Sequence, residues 1–334
     1  MLMIKKQKNI LFGNFYIMTN LNHRSFICGI RGIKLLSSEI KFLKKYKPWG
    51  VILFSRNIKT IKQTQILTQS IKNIFNNNNY PILIDEEGGR ISRLRKFIDS
   101  SIFSAKYFGD MYYKDRKKFN TYYNVYIKQI SYLLRLLGIN INTVPVLDLR
   151  RRSGHNIIGD RSFSNNIKVI SKVSDVCIHN FHKNRIATVM KHIPGHGLSK
   201  ADSHVKLPII DKNLKYLLKN DFRLFKNKKS LFAMTGHLMF TKIDKLNTST
   251  HSKKIIKIIR KNIGFKNIII TDDLSMKALK YTIEENTKKS FEAGCNLALH
   301  CNGNLNEMLK VAKNSPKINK FILKKTSQFF DIIS

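Results

Sequence analysis

The chain has 334 residues, enough for one large domain or two ordinary ones, and 43% of them are hydrophobic, ample for a globular core. Sixty-one Lys and Arg against 21 Asp and Glu give a formal net charge of +40, a balance that attracts nucleic acid, anionic lipid or acidic substrates. No run of about twenty apolar residues exists, which excludes a membrane-spanning helix, and four cysteines without a CxxC pair exclude a disulfide framework.

The basic residues are spread along the chain amid abundant Ile and Asn, as in "NIFNNNNY" and "KKIIKIIRKNI". A spread of this kind reads as compositional drift, because a nucleic-acid surface would concentrate the charge in a stripe. Cys28, Cys177, Cys295 and Cys301 read as reduced thiols of a reducing compartment.

In chain order, residues 1–24 are expected to form a poorly ordered extension, with Met18 as an alternative start. Gly13 and Asn14 interrupt the apolar stretch there, and no small-residue cleavage site follows. From residue 25 onward, short apolar runs bounded by Gly, Pro or Asn predict strands. They are "SFICGI" (25–30), "GVILFS" (50–55), "YPILID" (80–85), "ININTVPVLDL" (139–149), "RIATVMKH" (185–192), "LFAMTGH" (231–237), "KNIIITDD" (266–273) and "CNLALHC" (295–301). Amphipathic, Lys-rich segments at 58–76, 113–137, 166–183, 211–226, 252–263 and 281–293 predict helices between them. Eight such units, with strands apolar on both faces, predict a single-domain (β/α)8 barrel over residues 25–334. A doubly wound open sheet is the alternative, but neither a GxGxxG nor a GxxxxGK[ST] pattern follows the first strand.

Asp85, Asp148, Lys191, His192, His237, Asp272 and His300 fall at or just past the C-terminal ends of six of these strands. One such Asp could simply cap the following helix. Seven polar residues gathered at the face where barrels carry their active sites make a catalytic reading stronger.

The segment "KHIPGHGLSKADSHV" (191–205) admits several readings. His192 and His196 have the i, i+4 spacing of a helical zinc pair, but Pro194 and Gly195 lie between them and the Glu of HExxH is absent, so no metal site is expected. Asp202, Ser203 and His204 are consecutive and cannot form a serine-nucleophile relay, and no GxSxG elbow occurs. What remains is a loop carrying Asp202 and His204 two positions apart. That spacing lets a carboxylate fix the imidazole tautomer and make His204 a general acid/base.

Nine motifs then occur in register: "VILFSRNI" (51–58), "LIDEEGGRISRL" (83–94), "TVPVLDL" (143–149), "GDRSFS" (159–164), "KHIPGHG" (191–197), "DSH" (202–204), "MTGHLMF" (234–240), "ITDDLSM" (270–276) and "EAGCNLAL" (292–299). Together, over roughly residues 25–320, they resemble glycoside hydrolase family 3 in its single-domain bacterial β-N-acetylglucosaminidase branch. The resemblance implies Asp272 as the nucleophile, His204 as acid/base and Asp202 as its partner. It also implies Asp85, Arg93, Arg161, Lys191 and His192 as the sugar-binding set. Lys191 and Arg161 would keep the nucleophile ionised, Gly88 and Gly89 would turn the chain behind Asp85, and His196 would brace the loop.

The implied reaction is retaining, exo-acting release of terminal β-linked GlcNAc from GlcNAc–anhydro-N-acetylmuramic acid muropeptides. A monomeric cytoplasmic enzyme without cofactor or metal, with carbohydrate as its partner and nucleic acid not expected, completes the reading. The rivals are a phosphorylase or β-glucosidase on the same scaffold and, in another class, a basic polymer-binding protein on a retained barrel. Departures from the family pattern are Glu86 where Gln is usual, Gly29 and Arg31 after the first strand, and Lys200 on the DSH loop.

Overall fold

The eight apolar runs become eight parallel strands in a computed structural model, which describes residues 23–151, 156–199, 201 and 206–334. They are β1 Arg24–Gly29, β2 Pro48–Leu53, β3 Ile82–Ile84, β4 Ile141–Asn142, β5 Ala187–Ile193, β6 Phe232–Thr235, β7 Ile268–Asp273 and β8 Leu297–His300. Each pairs with the next, and β8 closes on β1, giving the expected barrel. The expected 1–24 extension lies almost wholly outside the described residues.

The period-2 geometry of a strand explains why these runs are apolar throughout. Ile27, Ile52, Leu83, Ile141, Val189, Phe232, Ile270 and Leu299 belong to one buried cluster, the barrel interior. Their neighbours Phe26, Cys28, Val51, Leu53, Ile82 and Ile84 belong to the second, between sheet and helices. A strand with no solvent-facing side has no place for alternating polar residues.

The helices are α1 Ser37–Tyr46, α2 Ile61–Ile74, α3 Ala105–Lys114, α4 Arg116–Leu136, α5 Ile167–Lys183, α6 Leu214–Lys219, α7 Lys253–Ile258, α8 Ile283–Ala293, α9 Leu305–Asn314 and α10 Lys320–Ile333. Ser, Thr, Asp and Asn side chains start most of them. Thr60, for example, accepts from the Gln63 N–H and Thr282 from the Glu285 N–H. α10 plugs the end of the barrel remote from the strand C-termini. Its Phe329 sits against Trp49 and Phe232, and the Trp49 indole donates to Thr326 Oγ1 at 2.9 Å. Capping that end with packed aromatics leaves the opposite face for the site.

Two expected elements differ from the observed ones. The run 139–149 pairs as a strand only at Ile141–Asn142. Pro145 has no N–H to donate, and beyond it a single bridge, Val146 to Lys191, continues the ladder. The helix expected over 211–226 divides into α6 and a 3-10 turn, Phe222–Phe225. Between them, Asp221 is buried and its carboxylate accepts from Arg151 at 2.7 Å. Among the described residues, no helix is long and apolar enough to cross a membrane.

Candidate active site

The three acids after β3 have three different fates. Asp85 stands at the strand end, where Oδ1 accepts from Lys191 Nζ at 2.9 Å and from the Thr143 hydroxyl, and Oδ2 lies 3.5 Å from Arg93. Burial raises its carboxyl, but the Lys191 and Arg93 charges outweigh that and hold it well below the usual range. Glu86 is buried and accepts from the Ser92 hydroxyl and from the backbone N–H groups of Arg93 and Leu94. With no cation among those partners, burial wins and its carboxyl is raised. Glu87 takes Arg161 in a two-pronged pair, 2.8 and 2.9 Å, and Lys191 Nζ at 2.7 Å. Burial is opposed first by Arg161 and then by Lys191, and the Glu87 carboxyl falls to about 2.

This sharp turn depends on Gly88 and Gly89, at φ +80° and +58°. A Cβ on Gly89 would meet Ser104 Cβ at 2.8 Å. The turn returns the chain so that the backbone of residues 93 and 94 can reach back to Glu86.

β5 brings Lys191 and His192 to the same face. Lys191 is 3% exposed and its ammonium has three partners, Asp85, Glu87 and Thr143 Oγ1. His192 Nδ1 lies 2.6 Å from Asp148 Oδ2. A carboxylate only accepts, so Nδ1 carries the proton and Nε2 is the ring's remaining polar atom. Asp148 Oδ1 also accepts from the backbone N–H of His196 at 2.7 Å. Burial would raise Asp148, but the His192 charge and hydrogen bond, with His196, lower it. His196 is itself buried, which pushes its imidazole down to about 4. Its ring centre is 5.6 Å from that of His192. Asp148 thus holds the start of the loop through the His196 backbone N–H. Among the described residues no cluster of His, Cys, Asp and Glu could hold a metal ion.

β7 ends in Asp272 and Asp273. The Asp273 N–H donates to Asp272 Oδ1 at 2.8 Å, while the Asp273 carboxylate accepts from Ser275 and from the Cys301 N–H. His237, just past β6, is buried and its Nε2 lies 2.9 Å from the Asp273 carbonyl. His300 faces Glu307 at the start of α9, 2.8 Å away.

The barrel therefore gathers Asp85, Arg93, Arg161 and Lys191, with Glu87, in one ionic cluster, and His192, next to Lys191 in the chain, pairs with Asp148. It also carries Asp272 at the end of β7 on the same strand-terminal face. Asp202 and His204, with Lys200, lie outside the described residues. Sequence reasoning passed over Glu87 and placed Asp148 at the strand-end face without giving it a specific part. A signal for Glu87 was present: Lys191 and Arg161 together need more negative charge than Asp85 supplies, and buried cations are paired. Arg93, besides its pairing with Asp85, has its guanidinium 5.4 Å from the centre of the Phe54 ring.

Residues 21–326 match the model described as glycosyl hydrolase family 3 N terminal domain. The chain is 30% identical over 307 residues to a beta-hexosaminidase of Haemophilus influenzae, covering 87% of this chain and 85% of that protein. It is 32% identical over 291 residues to a beta-hexosaminidase of Haemophilus ducreyi, covering 83% and 80%. Its fold superposes on the crystal structure of NagZ from Neisseria gonorrhoeae in complex with N-trifluoroacetyl-D-glucosamine. The TM-score is 0.78 at 26% identity, and the match covers 94% of this chain and 96% of that one.

Proposed function

The chain belongs to glycosyl hydrolase family 3 and is a β-N-acetylhexosaminidase, and we propose that it removes terminal GlcNAc from muropeptides with Asp272 as nucleophile and His204 as acid/base. One observation carries the assignment of Asp272. It closes β7 on the face where Asp85, Lys191, Glu87 and Arg161 form a buried ionic cluster. A barrel builds its chemistry from residues at strand C-terminal ends.

The route is retaining. Asp272 attacks the anomeric carbon as the glycosidic C–O bond breaks, and His204, turned by Asp202, protonates the leaving oxygen. His204 then takes a proton from the water that releases GlcNAc from Asp272. Asp85 accepts hydrogen bonds from sugar hydroxyls, and Arg93 and His192 Nε2 add further polar contacts. Lys191 and Arg161 act mainly through the carboxylates they hold, since both are buried against Asp85 and Glu87. Four unpaired cysteines support a reducing compartment, and we place the enzyme in the cytoplasm as a monomer acting on wall fragments.

The test is hydrolysis of 4-nitrophenyl N-acetyl-β-D-glucosaminide and of GlcNAc–anhydro-N-acetylmuramic acid, with products identified by mass spectrometry in the presence and absence of phosphate. Free GlcNAc from both substrates is expected. GlcNAc 1-phosphate would identify a phosphorylase, and an inert muropeptide would remove the proposed substrate.

A further inference from the structure

The doubled acid of "ITDDLSM" leaves Asp273 without a part in the chemistry, and His237 is a buried strand-end histidine that the mechanism does not use. The two residues are joined. We propose that His237 and Asp273 are positioning residues that clamp the nucleophile: His237 holds the peptide carbonyl after Asp273, and the Asp273 N–H holds the Asp272 carboxylate. The proposal rests on the assignment of Asp272 as nucleophile.

The hydrogen-bond directions follow from the partners. The Asp273 carbonyl can only accept, so His237 Nε2 carries a proton across the 2.9 Å contact. His237 Nδ1 lies 2.8 Å from Thr250 Oγ1, which lies 2.8 Å from Thr235 Oγ1. In a neutral ring Nδ1 accepts, so Thr250 donates to it and accepts in turn from Thr235. Burial lowers the His237 pKa against the opposing pull of Asp272 and Asp273, which agrees with a neutral ring. Thr235, His237 and Thr250 are all fully buried. The chain of donors therefore runs one way, Thr235 to Thr250 to His237 to the Asp273 carbonyl.

Asp273 is gripped at its other end as well. Its carboxylate accepts from Ser275 N at 3.1 Å, Ser275 Oγ at 2.7 Å and Cys301 N at 3.1 Å. With carbonyl and side chain both fixed, its N–H cannot swing away from Asp272 Oδ1. The consequence is a nucleophile in one orientation at the end of β7. Misplacing a reacting group by about 1 Å costs on the order of a hundredfold in rate. A clamp of this kind acts on the chemical step and leaves sugar binding to the Asp85 cluster.

The experiment measures kcat and KM for 4-nitrophenyl N-acetyl-β-D-glucosaminide, with Ki for GlcNAc, in Asp272→Ala, His237→Leu, His237→Gln and Thr250→Val. Nitrogen-15 NMR of the wild-type imidazoles runs beside it. We expect His237→Leu to lower kcat about tenfold or more with KM and Ki within about twofold. Gln, whose amide can donate to the same carbonyl, should recover most of that loss. Thr250→Val should lose about threefold in kcat alone. The His237 ring should be neutral and Nε2-protonated at pH 7. An inactive Asp272→Ala together with unchanged kcat in Thr250→Val and His237→Leu would overturn the clamp while sparing the nucleophile. An active Asp272→Ala would overturn the nucleophile assignment and the clamp with it. Should His237→Leu fail to fold, Thr250→Val and the NMR decide. A neutral ring protonated at Nδ1 alone, with no proton on Nε2, overturns the proposal.

Discussion

Lys191 and Glu87 meet ammonium to carboxylate at 2.7 Å, with both side chains almost wholly buried. Glu87 is also the bidentate partner of Arg161, so one carboxylate compensates two buried cations. Next to it in the chain, Glu86 is equally buried and touches only neutral donors. Adjacent residues of the same type are therefore driven in opposite directions by their partners.

That contrast predicts opposite stability effects. Glu87→Gln leaves Arg161 and Lys191 undercompensated and should destabilise by about 3 kcal/mol or more at pH 7. The Glu87 pKa is depressed to about 2, so its contribution is present above the ordinary glutamate range near 4.5 and is lost as pH falls toward 2. The Glu86 pKa is raised, so the native state binds the extra proton and its contribution declines as pH rises above that range. Glu86→Gln keeps an oxygen for the same donors and should gain stability relative to the wild type as pH rises from 4 to 7. Urea midpoints from about pH 2 to 7 check both. A Glu87→Gln variant as stable at pH 7 as the wild type would contradict the pairing.

Asp272→Asn keeps the size of the side chain and removes its charge. Turnover should fall by at least a thousandfold, with circular dichroism unchanged, because no second nucleophile replaces it. Near-normal rates after removal of trace wild-type enzyme would show that another residue attacks the sugar.

His204→Ala removes the proposed proton donor. Leaving groups of high pKa should be slowed far more than 4-nitrophenolate, which departs without a proton. A Brønsted plot over a series of aryl glycosides measures this. Equal slowing across the series is the outcome that sinks the acid role.

Asp148→Asn removes the charged acceptor of the His192 ring and of the His196 N–H. Loss of a hydrogen bond between charged or chargeable groups is worth roughly 1.5–3 kcal/mol. We therefore expect kcat/KM to fall about ten- to a hundredfold, chiefly through KM, with a smaller change in Tm. A variant with unaltered KM would show that His192 is held without Asp148.

Much of the frame was legible from residues alone. The strands at 24–29, 48–53 and 187–193 were readable because a strand buried on both faces must be continuously apolar. The position of Asp85, Lys191, His192 and Asp272 at or beside strand C-terminal ends was readable because each closes a continuous apolar run. The short β4 was not, because apolar composition continues past Pro145 while hydrogen-bonded pairing does not. Nor was the break in the segment 211–226, where Asn220 leaves helical geometry and the next residue, Asp221, meets Arg151, a partner 70 positions away.

What the sequence by itself determined was periodicity, motif order and the kinds of chemical group at each strand end, all properties of neighbours along the chain. Which carboxylate holds which cation was decided only by the tertiary structure. Glu87, Lys191 and Arg161 come from three separate segments, and so do Thr235, Thr250 and Asp273 around His237. Hydrogen bonds and buried ion pairs act over about 3 Å of space. Closing the barrel is what brings residues dozens of positions apart within that reach.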